Sequence, residues 1–365
     1  MAAKTRVAVV MGGRSGEHDV SINSGNGVLA NIDRGKYEVR KVVIRKDGAW
    51  SLDDGPAVGM LDALRALAPA IDVAFLALHG PNGEDGSMQG LFHLLGIPYT
   101  GSDYYASSLA MNKPRAKDVY RGAGLSVAAD RLVRREDFQG RREDSRGGDS
   151  RGDSRGRRED SRGGDSRGDS RGRRAEILNE IAESIGFPAV VKTTKLGSSV
   201  GVDIVPDRER LESRIEEFFV HGAEVLVEQF IKGTELTAPV IDDPYQGRTV
   251  ALPLIEIRPN LAGWFDYRSK YEKKGATEIC PAPVDEETTR QGQEVGLLAH
   301  RALGCRGMSR TDMIVEPTGR IVVIETNTIP GFTQTSLLPQ AAAQAGISYT
   351  QLVDLLIQEA LGRGN

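Results

Sequence analysis

The residue types best suited to metal chemistry lie near the C-terminus, in the segment SRTDMIVEPTGRIVVIETNTIPG. Two β-rich runs flank a turn at 318–319, and a hairpin about that turn places Asp312 opposite Glu325, give or take a bulge of one residue. Because side chains alternate along a strand, Arg310 and Asn327 then share the face of the two acids. Two carboxylates and an amide oxygen suit Mg²⁺ shared with nucleotide phosphates. A solvated polar face with an ordinary Arg–Asp pair is the alternative interpretation.

A second segment with chemical potential is KTTKLGSSVG, between the strand-like runs FPAVVK and VGVDIV. Its glycines and serines offer N–H and hydroxyl donors, and Lys192 and Lys195 add positive charge beside them. Such a loop can fold over phosphates, although it lacks the spacing of a Walker A loop. An ordinary hairpin turn is an equally good interpretation of this segment alone.

The third segment, GGRSGEHDVS, follows the first strand and places Glu17, His18 and Asp19 just before a helix. Its glycines do not have the GxGxxG spacing of dinucleotide-binding loops. Acids are favoured at a helix N-terminus by the helix dipole, so this segment alone indicates charge complementation and no more.

The elements that must position these residues begin with an alternation of strand and helix patterns over residues 1–100. This alternation predicts a parallel α/β sheet, in which functional loops gather at the carboxyl ends of the strands. The loops GGRSGEHDV and HGPNGEDG occupy such positions. A second unit is expected over residues 101–231 and a third over residues 232–365, each with mixed helices and strands.

Residues 140–174 form a low-complexity block in which GRREDSRGGDSRGDSR occurs twice in succession. The block has no apolar residue, so it cannot bury surface to offset the entropy of ordering, and we expect disorder. Its arginine–glycine steps resemble nucleic-acid-binding tails, but interleaved acids reduce the charge. Its two Arg-Gly-Asp triplets would need export to meet a cell-surface receptor.

Composition narrows the classes of function. The chain has 365 residues and a net charge of −4, and outside the block acidic residues outnumber basic ones by 43 to 35. An acidic globular chain is a poor candidate for binding nucleic acid or anionic membranes. No apolar run is long enough to span a bilayer, and the N-terminus predicts a strand and no signal peptide. Cys280 and Cys305 form no CxxC pair or disulfide framework, so we expect a cytoplasmic protein.

Taken in order, these segments resemble the D-alanine–D-alanine ligases of the ATP-grasp superfamily. The resemblance covers essentially the whole chain except residues 140–174. It implies an α/β fold in which the parallel N-terminal domain precedes two α+β domains that clamp ATP. It rests on the motifs GGRSGEHDVS, ALHGPNGEDGSMQGLFHLLGIPYTGS, MNKPRAK, VVKTTKLGSSVGV, KYEKKGATEICPAP, SRTDMIV and ETNTIPGFTQTSLLP.

The resemblance implies ADP-forming ligation of two D-alanines, for peptidoglycan precursors, through an acyl phosphate. It implies Mg²⁺ on Asp312, Glu325 and Asn327, with two ions expected and Mn²⁺ an alternative. Among the ATP contacts, Glu228 matches the group at the adenine amine; as a buried acid without a hydroxyl partner, it would use a ligand contact. The residues matching ATP contacts are Lys113, Lys192, Ser198, Ser199, Glu228, Gln229, Phe230, Ile231, Glu235, Lys270 and Asn327.

The substrate-binding residues are also implied by the resemblance. Glu17 matches the group that holds the first D-alanine ammonium, and His79 lies near that substrate as an orienting or proton-handling group. Arg310 and the backbone N–H of Gly331 match the donors facing the tetrahedral oxyanion. The second D-alanine is expected to contact Ser336 and Leu337.

A lid is implied over residues 260–281, where Lys270 and Tyr271 match residues that close over the site and exclude water. Glu17, Ser198 and Tyr271 match a hydrogen-bonded triad joining this lid to the first domain. Members that make D-alanyl–D-lactate usually carry Phe at the position of Tyr271, so Tyr indicates the dipeptide.

Other functions remain as alternatives. A D-lactate or D-serine type ligase, or another ATP-grasp carboxylate–amine ligase, would share most of these motifs. A Rossmann oxidoreductase would leave the C-terminal hairpin unexplained, and a non-catalytic ATP-binding regulator would not need Arg310 with its acidic neighbours. D-Alanine and ATP are the expected partners, nucleic acid and membrane are not, and a homodimer is expected.

Overall fold

The computed structural model describes residues 3–139, 166–194, 201–259 and 276–363, with the backbone alone for 166–170. Two compact units share these residues. The first comprises the described residues up to Ala128 and those from Ile231 onward, and the second comprises the described residues within 129–194 and residues 201–230. Among the helices described, none is both long and apolar enough to cross a membrane.

The N-terminal part of the first unit contains a four-stranded sheet in the order β3-β2-β1-β4. Strand β1 is parallel to β2 and β4, which confirms the predicted parallel sheet, while β3 adds an antiparallel edge. From Val7 onward β1 is buried on both faces, as expected for a strand between covering layers. The strands are β1 (Thr5–Gly12), β2 (Tyr37–Ile44), β3 (Trp50–Leu52) and β4 (Val73–Leu76).

The helices of this part follow the strands as the sequence predicts. Side-chain caps begin two of them: Asp103 accepts from the Ala106 N–H, and Asn112 accepts from the Arg115 N–H. The elements are α1 (His18–Asn31), α2 (Met60–Leu67) with a 3₁₀ turn (Ala68–Ala70), α3 (Ser87–Leu94), α4 (Tyr104–Met111) and α5 (Lys113–Gly122).

The second unit is an antiparallel sheet in the order β5-β8-β6-β7, with helices packed on its core. The predicted hairpin on either side of the Gly/Ser segment is confirmed, because β6 and β7 pair directly. The elements are β5 (Asp130–Arg134), α6 (Arg135–Gln139), α7 (Ser166–Ser184), β6 (Ala189–Thr193), β7 (Val202–Val205), α8 (Arg208–Phe218) and β8 (Glu224–Gln229).

The rest of the first unit is a six-stranded sheet in the order β12-β11-β9-β13-β14, with β10 paired to β9. The elements are β9 (Thr234–Asp243), β10 (Arg248–Ala251), β11 (Ile255–Pro259), β12 (Ala276–Ile279), α9 (Glu286–Leu303), β13 (Met308–Val315), β14 (Ile321–Asn327), α10 (Leu337–Gln344) and α11 (Tyr349–Gly362).

The low-complexity block is not wholly as predicted. Helix α7 begins at Ser166, inside the block, so the expectation of disorder is wrong for residues 166–174. Charged contacts compensate there for the missing apolar side chains: Arg173 Nη2 lies 2.7 Å from Asp137, and the Arg174 guanidinium lies 4.7 Å from the centre of the Phe138 ring. Residues 140–165 lie outside the described chain.

The division into units also differs from the three predicted domains. Predicted domains 1–100 and 232–365 share one compact unit, and residues 101–128 belong to it as well. Helix α5 joins this unit because the buried Tyr120 hydroxyl donates to Thr326 Oγ1 at 2.8 Å and its ring packs near Leu303. The predicted boundary after residue 231 lies one residue from the observed change of unit.

Candidate active site

The C-terminal hairpin brings four polar residues to one face, as predicted. In the pairing of β13 with β14, Arg310 lies opposite Asn327 and Asp312 lies opposite Glu325. Since successive residues alternate between faces, the four side chains share a surface. The predicted grouping of these four residues is therefore present, and their role as metal ligands stays a prediction.

The turn of this hairpin differs from the prediction. Val315 pairs with Ile321, and the Glu316 N–H donates to the Arg320 carbonyl at 2.9 Å. The chain therefore turns through the three residues 317–319, and the φ of 84° at Gly319 is left-handed. A three-residue turn with glycine in this conformation is a common hairpin connection. The pairing then shifts by one residue at Ile324, a β-bulge between Asp312 and the turn. With this turn and no bulge, the same chain would direct Glu325 to the opposite face.

The charges on this face are paired. Arg310 donates two hydrogen bonds to Asp312, from Nε at 2.9 Å and from Nη2 at 2.8 Å. Burial alone would lower the pKa of Arg310, but the carboxylates of Asp312 and Glu325 hold it above its usual value. Thr237 on the neighbouring strand β9 donates to Asp312 at 2.6 Å, and Asn327 donates at 3.3 Å. This network orients the Asp312 carboxylate.

Glu325 forms an ion pair with a lysine. Lys113 Nζ lies 2.9 Å from Glu325 Oε2, and both side chains are mostly shielded from water. Lys113 is the first residue of α5, and Asn112 before it caps that helix, so the start of the helix determines where the lysine points. A lysine expected to meet phosphate thus lies against a carboxylate expected to meet metal.

The donor set of this face fits a hard divalent cation. Asp312 and Glu325 are opposed on adjacent strands, and Asn327 adds an amide group. Their oxygens are the ligand type that Mg²⁺ prefers, and Arg310 and Lys113 show that the two carboxylates are arranged around positive charge. Within the described residues, no group of three His, Cys, Asp or Glu side chains could hold a metal by itself.

His79 lies in the loop that follows β4 and is buried. Burial lowers its pKa to about 4, a nearby positive Arg310 acts in the same direction, and a hydrogen bond with the Ile329 backbone opposes the shift. Its Nε2 lies 2.9 Å from the hydroxyl of Ser24 on α1. His79 is thus a neutral imidazole held by two segments of the first unit.

Glu84 was not singled out in the sequence, although it lies in the motif HGPNGEDG. It is buried, and its Oε1 accepts from the Gly80 N–H at 3.1 Å. Burial raises its pKa to about 8, and the negative charge of Glu17 adds to the shift. A Cβ on Gly80 would lie 2.5 Å from Glu17 Oε2, so glycine permits the close approach of this turn to Glu17.

The loop before α10 holds the residues expected to meet the second substrate. Ser336 immediately precedes α10, and its Oγ accepts from the Thr333 N–H at 3.0 Å, while Leu337 is the first residue of the helix. Gly331 faces this serine closely, because a Cβ there would lie 2.9 Å from Ser336 Oγ. Glycine therefore lets the chain turn tightly at the position expected to supply an N–H.

In the second unit, Lys192 and Glu228 lie on one face of neighbouring strands, and Lys192 Nζ is 2.6 Å from Glu228 Oε2. Both side chains are largely buried. Lys192 thus partners the buried carboxylate of Glu228, so its burial alone does not indicate a ligand contact, and the adenine contact stays a prediction. Gln229 and Phe230 follow at the strand end, and Ile231 begins the return to the first unit.

Glu235 lies on β9 of the first unit, opposite Ile314 of β13. The remaining predicted site residues are Ser198, Ser199, Lys270 and Tyr271, which lie outside the described residues. Their roles, the Glu17–Ser198–Tyr271 triad and the lid stay predictions.

Comparison with known proteins supports the resemblance. The model of the D-ala D-ala ligase N-terminus matches residues 6–102, and that of the D-ala D-ala ligase C-terminus matches residues 166–358. The D-alanine–D-alanine ligase of Syntrophobacter fumaroxidans is 39% identical, with 98% of each chain covered. That of Geobacter sulfurreducens is 36% identical over 98% of this chain and 94% of the relative.

Solved structures agree. The D-Ala:D-Ser ligase VanG of Enterococcus faecalis is 29% identical with a TM-score of 0.77, covering 98% of this chain and 100% of that one. The D-alanine–D-alanine ligase of Bacillus anthracis complexed with ATP is 33% identical with a TM-score of 0.73, covering 99% and 98%. The α/β class and the ATP-grasp fold are thereby confirmed, and the chain belongs to the D-alanine–D-alanine ligase family.

Proposed function

We propose that this protein joins two D-alanines into D-alanyl–D-alanine at the expense of ATP, releasing ADP and phosphate, for peptidoglycan precursors. The carboxylate of the first D-alanine attacks the γ-phosphate to form an acyl phosphate, and the amine of the second displaces phosphate. The observation that carries the proposal is the hairpin face of Arg310, Asp312, Glu325 and Asn327 in a chain that belongs to this family.

ATP binding is supported by the charged pairs of each unit. Lys113 and Lys192, which form ion pairs with Glu325 and Glu228 in this structure, would contact phosphate oxygens. Glu228 would accept a hydrogen bond from the adenine amine. Asp312, Glu325 and Asn327 would hold Mg²⁺, or Mn²⁺ in its place, as one or two ions. The metal supplies neutralisation of phosphate charge. The other proposed ATP contacts are Ser198, Ser199, Gln229, Phe230, Ile231, Glu235 and Lys270.

The amino-acid substrates would bind to the first unit. Glu17 would hold the ammonium of the first D-alanine, close to the turn at Gly80. Arg310 and the Gly331 N–H would stabilise the tetrahedral oxyanion, since preorganised donors act where charge develops. Ser336 and Leu337 would contact the second D-alanine, and the lid with Lys270 and Tyr271 would exclude water.

The second candidate is ligation of D-alanine to D-serine, because VanG, a D-Ala:D-Ser ligase, is among the similar structures. Equimolar D-alanine and D-serine in one reaction would discriminate the two, since the dipeptides differ in mass. A homodimer and a cytoplasmic location also belong to this proposal. Light scattering of the purified chain tests the first.

The test is dipeptide formation from ATP, Mg²⁺ and D-alanine, measured by mass spectrometry with wild type, Glu325→Gln and Glu316→Gln. Glu316 is the matched control, because it lies at the turn of the same hairpin and pairs with Arg320. Glu325→Gln should lose at least about 100-fold in rate, since even outer partners of metal ligands cost up to that much. Glu316→Gln should keep the wild-type rate. Wild type without dipeptide would refute the function, and an active Glu325→Gln would refute the metal assignment.

A further inference from the structure

A buried hydroxyl joins two parts of the candidate site. Ser24 lies on α1 and is fully buried. Its Oγ is 2.9 Å from His79 Nε2 and accepts a hydrogen bond of 3.1 Å from the Phe332 N–H. His79 and Phe332 are distant from Ser24 in sequence, so this one atom connects α1, the loop after β4 and the loop after β14.

The hydrogen bonds of this junction favour one arrangement of protons. The Phe332 N–H can only donate, so Ser24 Oγ accepts there, and the single hydroxyl hydrogen is available for His79 Nε2. When Ser24 donates to Nε2, that nitrogen is unprotonated and the hydrogen of the neutral ring lies on Nδ1. Against the effect of burial, a hydrogen bond with the Ile329 backbone raises the pKa of His79, which is the direction expected when a carbonyl accepts from a ring N–H. Because Nε2 faces Ser24, that N–H is assigned to Nδ1.

The carbonyl and the ring of Phe332 are also held in place. The Phe332 carbonyl accepts from the Tyr349 hydroxyl, and the Phe332 ring packs edge-on against Phe75 and Tyr349, with centroids 5.4 Å apart in both pairs. Gly27, one turn after Ser24 on α1, permits this approach: a Cβ there would lie 2.9 Å from the Phe332 oxygen. The peptide after Gly331 is thus held on its N–H and on the following carbonyl.

We propose that Ser24 is a positioning residue, whose hydroxyl fixes the Nδ1–H tautomer of His79 and the orientation of the Gly331–Phe332 peptide. The catalytic consequence rests on the proposed function, in which the Gly331 N–H, in the peptide next to the one that Ser24 holds, faces the oxyanion. Donors of this kind act through preorganisation, so an error in their direction is felt in the chemical step. Ser24 touches neither substrate and acts through His79 and Phe332.

The kinetic test compares Ser24→Ala with Ser21→Ala. Ser21 is a matched control, because it is also fully buried on α1 and makes two hydrogen bonds, accepting from the Gly12 N–H at 2.7 Å and donating to the Ala77 carbonyl at 2.6 Å. Ser24→Ala should lower kcat by about tenfold or more, but by less than the roughly 100-fold that loss of an oxyanion donor costs. The KM for ATP should be unchanged. Ser21→Ala should lose stability and keep kcat. Equal kcat effects in the two variants, or none in Ser24→Ala, would overturn the proposal.

The spectroscopic test needs no substitution of Ser24 and no activity. Long-range ¹H–¹⁵N NMR spectra of the histidine-labelled protein at pH 7, assigned with His79→Gln, should show His79 as the neutral Nδ1–H tautomer. An Nε2–H tautomer or a charged ring would overturn the proposal, because Ser24 would then not donate to His79. A wild-type protein that makes no dipeptide would refute the proposed function while leaving this hydrogen-bond assignment to be judged by NMR alone.

Discussion

Replacing Glu84 with glutamine should change how stability depends on pH. The pKa of this buried carboxyl is raised from 4.5 to about 8, chiefly by burial and then by Glu17. Between these values the folded chain holds a proton that the unfolded chain has released, so stability falls as pH rises. The contribution of Glu84 is therefore fully present below pH 4.5 and is lost as pH rises through 8.

The magnitude follows from that window. Each pH unit within it changes the free energy of unfolding by about 1.36 kcal/mol, so wild type loses at most about 4 kcal/mol between pH 5 and pH 8 through Glu84. The glutamine side chain that replaces it cannot ionise and can keep the hydrogen bond from the Gly80 N–H. Glu84→Gln should accordingly be close to wild type at pH 5 and gain on it steadily toward pH 8.

The assay is urea unfolding followed by fluorescence of Trp50, which is buried in the first unit, in a Trp264→Phe background. Glu38→Gln, an exposed carboxylate on β2 of the same unit, is the control and should show no comparable pH-dependent gain. If the free-energy difference between Glu84→Gln and wild type were the same at pH 5 and pH 8, Glu84 would not titrate in this window and the burial argument would fail.

Two further predictions concern parts of the chain that the structure does not describe. Removing one copy of the repeat, residues 140–155, should leave turnover unchanged. It shortens the connection between α6 and α7 from 26 to 10 residues, which should raise the free energy of unfolding by about 0.8 kcal/mol through the smaller closure entropy. A lower melting temperature in calorimetry would mean that the repeat packs against the fold. Tyr271→Phe should raise D-alanyl–D-lactate relative to dipeptide at neutral pH in a mixed-substrate mass assay, and an unchanged ratio would remove Tyr271 from specificity.

Local pattern predicted those parts of the site that depend on short-range geometry. The opposition of Asp312 and Glu325 follows from strand alternation and hairpin closure, and the structure has it. The two-residue turn was wrong because sequence alone does not distinguish it from a three-residue turn with a later bulge. The parallel N-terminal sheet was likewise readable from alternating strands and helices.

Contacts between distant segments could not be predicted from single residues. In the sequence Ser24 is indistinguishable from an ordinary helix serine, and only the fold shows that it contacts His79 and Phe332. Glu84 reads as a loop acid until its burial beside Glu17 is known. The helix at the end of the repeat was not predicted, because the prediction considered only the lack of apolar side chains. Arg174 instead packs over the face of the Phe138 ring, a contact that composition does not indicate.

Because of the bulge at Ile324, the pairing of Asp312 with Glu325 does not depend on one fixed length of the hairpin. Because Ile324 is the extra residue in the ladder, a related chain lacking it would pair regularly across the same three-residue turn and still oppose the two acids. A chain of unchanged length with a two-residue turn would oppose them as well. Loss of this one residue can thus be absorbed without separating the two acids, so a one-residue gap at the bulge is no sign that a relative has lost the pairing of Asp312 with Glu325.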